Sequence, residues 1–356
     1  MAPTAIDSGN DAVRPVEQQP LDEVPNPLNP DFLDLLDQDF INYYNKHLAP
    51  IPKTHLISIE EMRANGHKYA SPWCQDFSGE DFVKDIKMTA EDGHVFTVRC
   101  YYPDEKTSPF GAGPYPVYIN FHGGGWTFGG LTGDAEIAMA IRNRVGILVL
   151  DVDYRLSPGA DDGWAAIQWV HKNGAEINAR GDSISIGGIS AGGQICATLQ
   201  QVARDEGLPL KLAILAVPAV IYEGDLKKPS DAGFPSWVEN QFAPCLNWER
   251  SKYFQQHYTP KTEADRADFE RRPLFHKSPI RGDLGGVCDT FVCTAERDPL
   301  RDEGEAYAAK LAQVGVRVSM RRYTNVPHPF MHMGPIKKAQ MYLDDITSEL
   351  RRVVGV

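Results

Sequence analysis

The strongest constraint on how this chain can fold is an alternation of short, continuously apolar runs with segments of helix length. Residues 117–121, 145–152, 183–186, 211–217, 290–295 and 316–323 read as strands. Between and after them, residues 134–144, about 164–175, 193–205, 302–314 and about 336–353 carry helical patterns. Strands without polar alternation are those covered on both faces, as in parallel sheets flanked by helices. The expected class is therefore α/β, with a mainly parallel central sheet, helices on both faces, and ligand sites outside the carboxyl ends of the strands. Two further β-rich runs, 82–88 and 95–102, flank the turn signal Glu91-Asp92-Gly93 and read as a leading hairpin.

Three stretches interrupt this pattern. Residues 1–30 are rich in Pro, Asp, Glu, Gln and Asn and read as a mobile leader without the basic start and apolar run of a secretory signal. In residues 31–80, Phe32, Leu35, Leu36, Phe40, Ile41 and Tyr44 recur at helical spacing, which predicts N-terminal cap helices. Residues 221–284 lose the alternation in favour of Pro, Trp, Phe, Tyr and charge, and read as a cap insertion over the strand ends. It divides the core into residues 81–220 and 285–356.

A net charge of −12 offers phosphate backbones nothing to bind, so nucleic acid is not an expected partner. No run approaches the roughly 18 apolar residues of a bilayer span, and the six cysteines lack metal spacing or a disulfide framework. These observations lead to the expectation of a cytoplasmic protein with free thiols and no membrane span. They leave a homodimer open.

The chemistry concentrates after the strands. Residues 183–186 run into Gly187-Gly188-Ile189-Ser190-Ala191-Gly192-Gly193 and then a helical sequence. A serine at the apex of such a turn is held in a strained conformation, and its neighbours two before and two after must be nearly free of side chain, as Gly188 and Gly192 are. The helix that follows aims its first N–H groups at charge developing beside Ser190. Upstream, the strand at 117–121 ends in His122-Gly123-Gly124-Gly125-Trp126, where three consecutive glycines leave backbone N–H groups open as further oxyanion donors.

A serine nucleophile needs a base, and the base needs a group that fixes its tautomer. Two late strand ends supply candidates in the order acid then histidine. Asp298 is preferred to Glu296 as the acid, and Glu296 is read as its support. His328, between Pro327 and Pro329, is preferred to His332 as the base. Trp126, Trp237, Phe242, Trp248 and Phe330, with Ile189 beside the nucleophile, are candidates for the substrate pocket against a plain role in core packing.

These motifs resemble the hormone-sensitive lipase family of α/β-hydrolases, carboxylesterases marked by an HGGG loop. The likeness runs from about residue 117 to 330. It is carried by His122 to Trp126, Asp153-Tyr154-Arg155-Leu156-Ser157-Pro158, Gly188 to Gly193, Asp298 to Gly304 and His328-Pro329-Phe330. The resemblance implies the α/β-hydrolase fold with a helical cap, Ser190, Asp298 and His328 as a triad, oxyanion donors from Gly124, Gly125 and Ala191, and no cofactor or metal. The polar leader and the Pro-His-Pro-Phe sequence look similar to fungal members. The chain departs from the family pattern at Ile189, where an acidic residue is usual, and at Pro329, where glycine is common. It also departs in Gly159-Ala160-Asp161-Asp162-Gly163, which reads as a shortened loop before Trp164.

The function expected from these residues is hydrolysis of small to medium carboxylic esters through an acyl-enzyme on Ser190. Two other readings use the same pocket: transfer of the acyl group to an alcohol or amine, or cyclisation, and a non-catalytic, receptor-like ligand-binding protein.

Overall fold

The structure is a computed structural model describing residues 24–69, 72–156, 159–221, 226–258, 262–264, 267 and 278–356. Residues 1–23 of the expected leader lie outside the described residues. The rest of that segment is packed: Leu28 is buried, and Asn26 N–H donates to Ala49 O at 3.0 Å.

Eight strands form one sheet: β1 (Val83–Thr89), β2 (Val95–Tyr101), β3 (Tyr115–Phe121), β4 (Leu148–Asp153), β5 (Ala179–Ile189), β6 (Leu212–Ala216), β7 (Asp289–Arg297) and β8 (Val318–Pro327). The spatial order is β1-β2-β4-β3-β5-β6-β7-β8. β1 and β2 pair antiparallel, as does β2 with β4, and from β4 to β8 every pairing is parallel. Alternate residues of the central strands feed two cores. Val117, Ile119 and Phe121 of β3 point to one, while Tyr118 points to the other with Val149 and Ile214.

The helices among the described residues are α1 (Gln38–His47), α2 (Ile59–Ala64), α3 (Ala135–Val145), α4 (Gly159–Asn173), α5 (Ala191–Asp205), α6 (Pro235–Glu239), α7 (Trp248–Tyr258), α8 (Arg301–Gln313) and α9 (Lys337–Val354). α1 and α2 come from the N-terminal segment, and α6 and α7 from the insertion. None of the described helices is long and apolar enough to cross a membrane. All six cysteines are free thiols.

Several boundaries move for physical reasons. Val145, read as the start of a strand, ends α3. Gly146 follows with φ 75° and donates its N–H to Arg142 O at 3.1 Å, the left-handed stop that glycine favours. β5 continues past 186 because Gly187 and Gly188 pair with Asn120 and Phe121 of β3. Their glycines mark close packing within the strand as well as the turn: a Cβ on Gly187 would lie 2.0 Å from Tyr118 Oη. β8 runs to Pro327, so the loop carrying His328 begins directly at a strand end.

The five residues 159–163 are not a loop but the first turns of α4. Asp162, fully buried, accepts the backbone N–H of Arg155 at 2.8 Å and its guanidinium at 2.6 Å. Arg155 also reaches Asp92 on the β1–β2 turn at 2.9 Å. A Cβ on Gly159 would lie 2.3 Å from the Tyr154 ring, which explains how the helix can start so close to β4. Ser157 and Pro158 lie outside the described residues.

Candidate active site

Ser190 sits where β5 hands over to α5, with φ 58° and ψ −113°. This is a conformation that side-chain-bearing residues pay strain to occupy, and the surroundings enforce it. Ser190 N–H donates to Ala216 O at 2.8 Å, and Ser190 O accepts from Gln194 N–H at 3.0 Å. Strand and helix meet too closely for side chains at the flanking glycines. A Cβ on Gly192 would lie 1.8 Å from Phe121 O, and one on Gly188 2.5 Å from the Gly192 backbone.

The glycine loop after β3 is folded back on itself. Gly124 O accepts from Thr127 N–H at 3.1 Å and from Phe128 N–H at 3.2 Å, leaving Gly124 at φ 126° and Gly125 at φ 60°. The N–H groups of Gly124 and Gly125 donate to no acceptor among the described residues. The N–H of Ala191, first in α5, belongs to the turn that a helix leaves unpaired. Beneath the loop, the buried His122 ring stacks on Tyr154 at 4.1 Å, and Tyr154 Oη donates to His122 O at 2.6 Å. Burial pushes the His122 pKa down, against the hydrogen bond to Gly123 O, so the ring packs as a neutral wedge.

Asp298 and His328, 30 residues apart in the chain, meet with Asp298 Oδ2 2.9 Å from His328 Nδ1. Both are buried, Asp298 completely. Its other oxygen accepts from Leu300 N–H at 2.9 Å, so the carboxylate is fixed from both sides. Glu296, the competing acid, faces elsewhere: it accepts Asn325 N–H at 2.8 Å and anchors the end of β8 that carries the histidine loop. His332 is likewise taken up by another carboxylate, Asp134 at 2.6 Å. Burial alone would raise the Asp134 pKa, but hydrogen bonds from His332 and Asn120 hold it below the usual range. Between Ser190 Oγ and His328, no hydrogen bond forms among the described residues.

The insertion is bolted to the acid loop. Ser236 Oγ donates to Pro299 O at 2.7 Å, Asn240 Nδ2 to Asp298 O at 3.1 Å, and Asp302 accepts Ser236 N–H at 2.8 Å. One group in this contact was marked in the sequence only as part of the Asp298 to Gly304 motif. Glu303, fully buried on α8, accepts Trp237 Nε1–H at 3.1 Å with one oxygen, and Val220 N–H at 2.9 Å and Ile221 N–H at 3.3 Å with the other. Burial raises its pKa to about 8, outweighing the hydrogen bonds that pull it down.

A pocket of about 100 Å³ opens at Ser190, lined by the candidates Trp126, Trp237 and Trp248 and by Phe254 and Tyr258 of α7. Trp126 is pinned there by Gln194, 3.2 Å from its indole nitrogen, and packs on Tyr258 at 4.6 Å. The remaining pocket candidates are placed elsewhere. Ile189, next to Ser190 in the chain, points to the opposite face of the sheet and is buried in the core. Phe330 turns inward to pack on Tyr323 at 4.8 Å. Phe242 is 62% exposed and lines a different cleft. The α7 aromatics missed in the sequence, Phe254 and Tyr258, lie four residues apart within a stretch whose charge obscures their spacing.

Comparison with known proteins agrees with the fold. A family profile described as alpha/beta hydrolase fold matches residues 118–332. An AB hydrolase superfamily protein of Schizosaccharomyces pombe is 31% identical over 339 residues, 91% of this chain and 96% of its own. A carboxylesterase of Mycobacterium tuberculosis is 35% identical over 249 residues, covering 68% of this chain and 73% of that one. Among solved structures, an esterase of Pyrobaculum calidifontis superposes with a TM-score of 0.73 at 26% identity, covering 92% of this chain and 99% of that one. A strained serine between β5 and α5, a bare glycine loop after β3 and this breadth of likeness lead to one placement: the chain belongs to the hormone-sensitive lipase-like family of α/β-hydrolases.

Proposed function

We propose that this protein is a serine carboxylesterase acting on small to medium carboxylic esters, with Ser190 as nucleophile, His328 as general base and Asp298 as the acid that orients it. The observation that carries the assignment is the buried Asp298–His328 pair at 2.9 Å, which leaves Nε2 as the imidazole atom available to take a proton. In the reaction, Ser190 Oγ attacks the ester carbonyl as its proton passes to His328 Nε2. The oxyanion is received by the N–H groups of Gly124, Gly125 and Ala191. His328 then protonates the leaving alcohol, and water activated by the same imidazole releases the acid and restores the serine. Catalytic hydrogen bonds commonly tighten only when substrate is bound, which accommodates a serine not yet bonded to the base.

The small volume at Ser190 and its aromatic walls favour a short acyl or alcohol group on that side. The Mycobacterium tuberculosis carboxylesterase and the Pyrobaculum calidifontis esterase support ester hydrolysis as the reaction. The decisive assay is hydrolysis of p-nitrophenyl acetate and butyrate by the full chain and by Ser190→Ala. The expected result is loss of activity to background in the variant. Turnover surviving in Ser190→Ala would remove the serine from the mechanism.

A further inference from the structure

A second cleft, of about 630 Å³, lies between the N-terminal segment and the insertion, and no residue lining it also lines the pocket at Ser190. α7 is the partition. Trp248, Phe254 and Tyr258 face Ser190, whereas Arg250 faces the second cleft.

Arg250 is unusually placed for a cation. Its Nε is buried without a hydrogen-bond partner, and Nη1 donates only to the neutral carbonyl of Cys245 at 2.8 Å. No carboxylate pairs with it among the described residues; its guanidinium lies over the Phe254 ring, 5.5 Å from the centroid, and burial pushes its pKa down against Cys245, Tyr44 and Tyr253. Lys53 lines the same cleft, as does His55, whose pKa burial pushes down, and among the described residues no Asp or Glu lines it. His332 also reaches it, but that ring is already answered by Asp134. In a chain with a net charge of −12, this is a local reversal of sign.

The rest of the wall mixes apolar with neutral polar side chains, among them Asn26, Asn29, Thr54 and Asn247. Leu28, Leu48, Ile51 and Met333 line it, and Phe242, more than half exposed, stands at its edge. Holding a half-buried guanidinium without an anion is costly, and one that lines a cleft with apolar patches fits a ligand that brings the missing charge. The volume suits an organic molecule of medium size rather than a bare inorganic ion.

We propose that this cleft binds an organic monocarboxylate with an apolar body, its carboxylate paired with Arg250 and its tail lying along Leu48, Ile51 and Phe242. Ester hydrolysis at Ser190 and binding here are separate events, so either can fail without the other. The test is calorimetric titration of octanoate, and of octanamide as its uncharged analogue, into the full chain, Arg250→Gln and Ile51→Trp.

The expected result is saturable binding of octanoate at one site, weakened about tenfold or more by Arg250→Gln, the factor expected for losing a charge-assisted hydrogen bond. Octanamide should be indifferent to that change, and Ile51→Trp, which fills the apolar end, should weaken both ligands. Octanoate binding unchanged in both variants, or no saturable binding to the full chain, overturns the proposal. Should Arg250→Gln fail to fold, Ile51→Trp with the two ligands decides the point alone.

Discussion

Glu303 offers a stability experiment whose size can be worked out beforehand. In the folded protein its pKa is raised from 4.5 to about 8, chiefly by burial. Between those values the unfolded chain carries the ionised carboxylate while the folded chain keeps the proton. The folded state therefore binds more protons, and the stability this group contributes, full below pH 4.5, is lost as pH rises toward 8. Taking both titrations into account, the loss between pH 5.5 and 7.5 is about 2.5 kcal/mol, close to the limiting slope of about 1.36 kcal/mol per pH unit.

Glu303→Gln removes the titration but keeps an oxygen for the Val220 and Ile221 N–H groups. Its amide meets the Trp237 indole donor to donor, a penalty that does not depend on pH. The measurement is urea unfolding of both proteins at pH 5.5 and 7.5, and the quantity of interest is how the difference between them changes. Relative to wild type, the glutamine variant should gain about 2.5 kcal/mol on going to the higher pH, whatever its fixed offset. An unchanged difference would falsify the raised pKa, and would mean that three N–H donors hold Glu303 ionised throughout.

Trp237→Phe removes one of those donors, which should cost about 1 kcal/mol and push the Glu303 titration to still higher pH in the same unfolding experiment. Asp298→Asn leaves the fold intact but loses the acceptor that fixes the His328 tautomer, so kcat on p-nitrophenyl butyrate should fall by roughly 10³–10⁴ with little change in KM. Gly192→Ala places a methyl 1.8 Å from the Phe121 carbonyl, where only backbone can yield; about 3 kcal/mol of stability and most of the activity should be lost, read by denaturant unfolding and ester turnover.

What the sequence made legible is what is encoded locally. A strand that ends in glycines around a serine, or in glycines after a histidine, states its own conformation, because few residues tolerate a Cβ so close to a neighbouring backbone. Parallel strands then bring such loops to one edge of the sheet, so order along the chain predicts proximity for the acid and the base. Side-chain direction proved harder to read. Ile189 and Phe330 adjoin Ser190 and the His328 loop in sequence, yet the pleat of β5 turns the first to the opposite face, and the short 3₁₀ turn after Pro329 turns the second into the core. Nearness in sequence to a catalytic residue is thus a poor guide to the pocket.

The remainder of the pocket was illegible for a further reason, which lies in how the cap is held. α6 and α7 reach the site only because Ser236, Trp237 and Asn240 bond to the acid loop and to Glu303, contacts that span about 60 residues and have no periodic signature. The same docking that presents Trp237 and α7 to Ser190 also braces the backbone of Asp298. Cap and triad are therefore not independent modules: a substitution in α6 that loosens the cap should disturb the orientation of His328 through Asp298 as well as the shape of the pocket. Changes meant to widen acyl specificity belong on the α7 face, at Phe254 or Tyr258, whose side chains line the pocket and make none of the hydrogen bonds by which Ser236, Trp237 and Asn240 dock the cap.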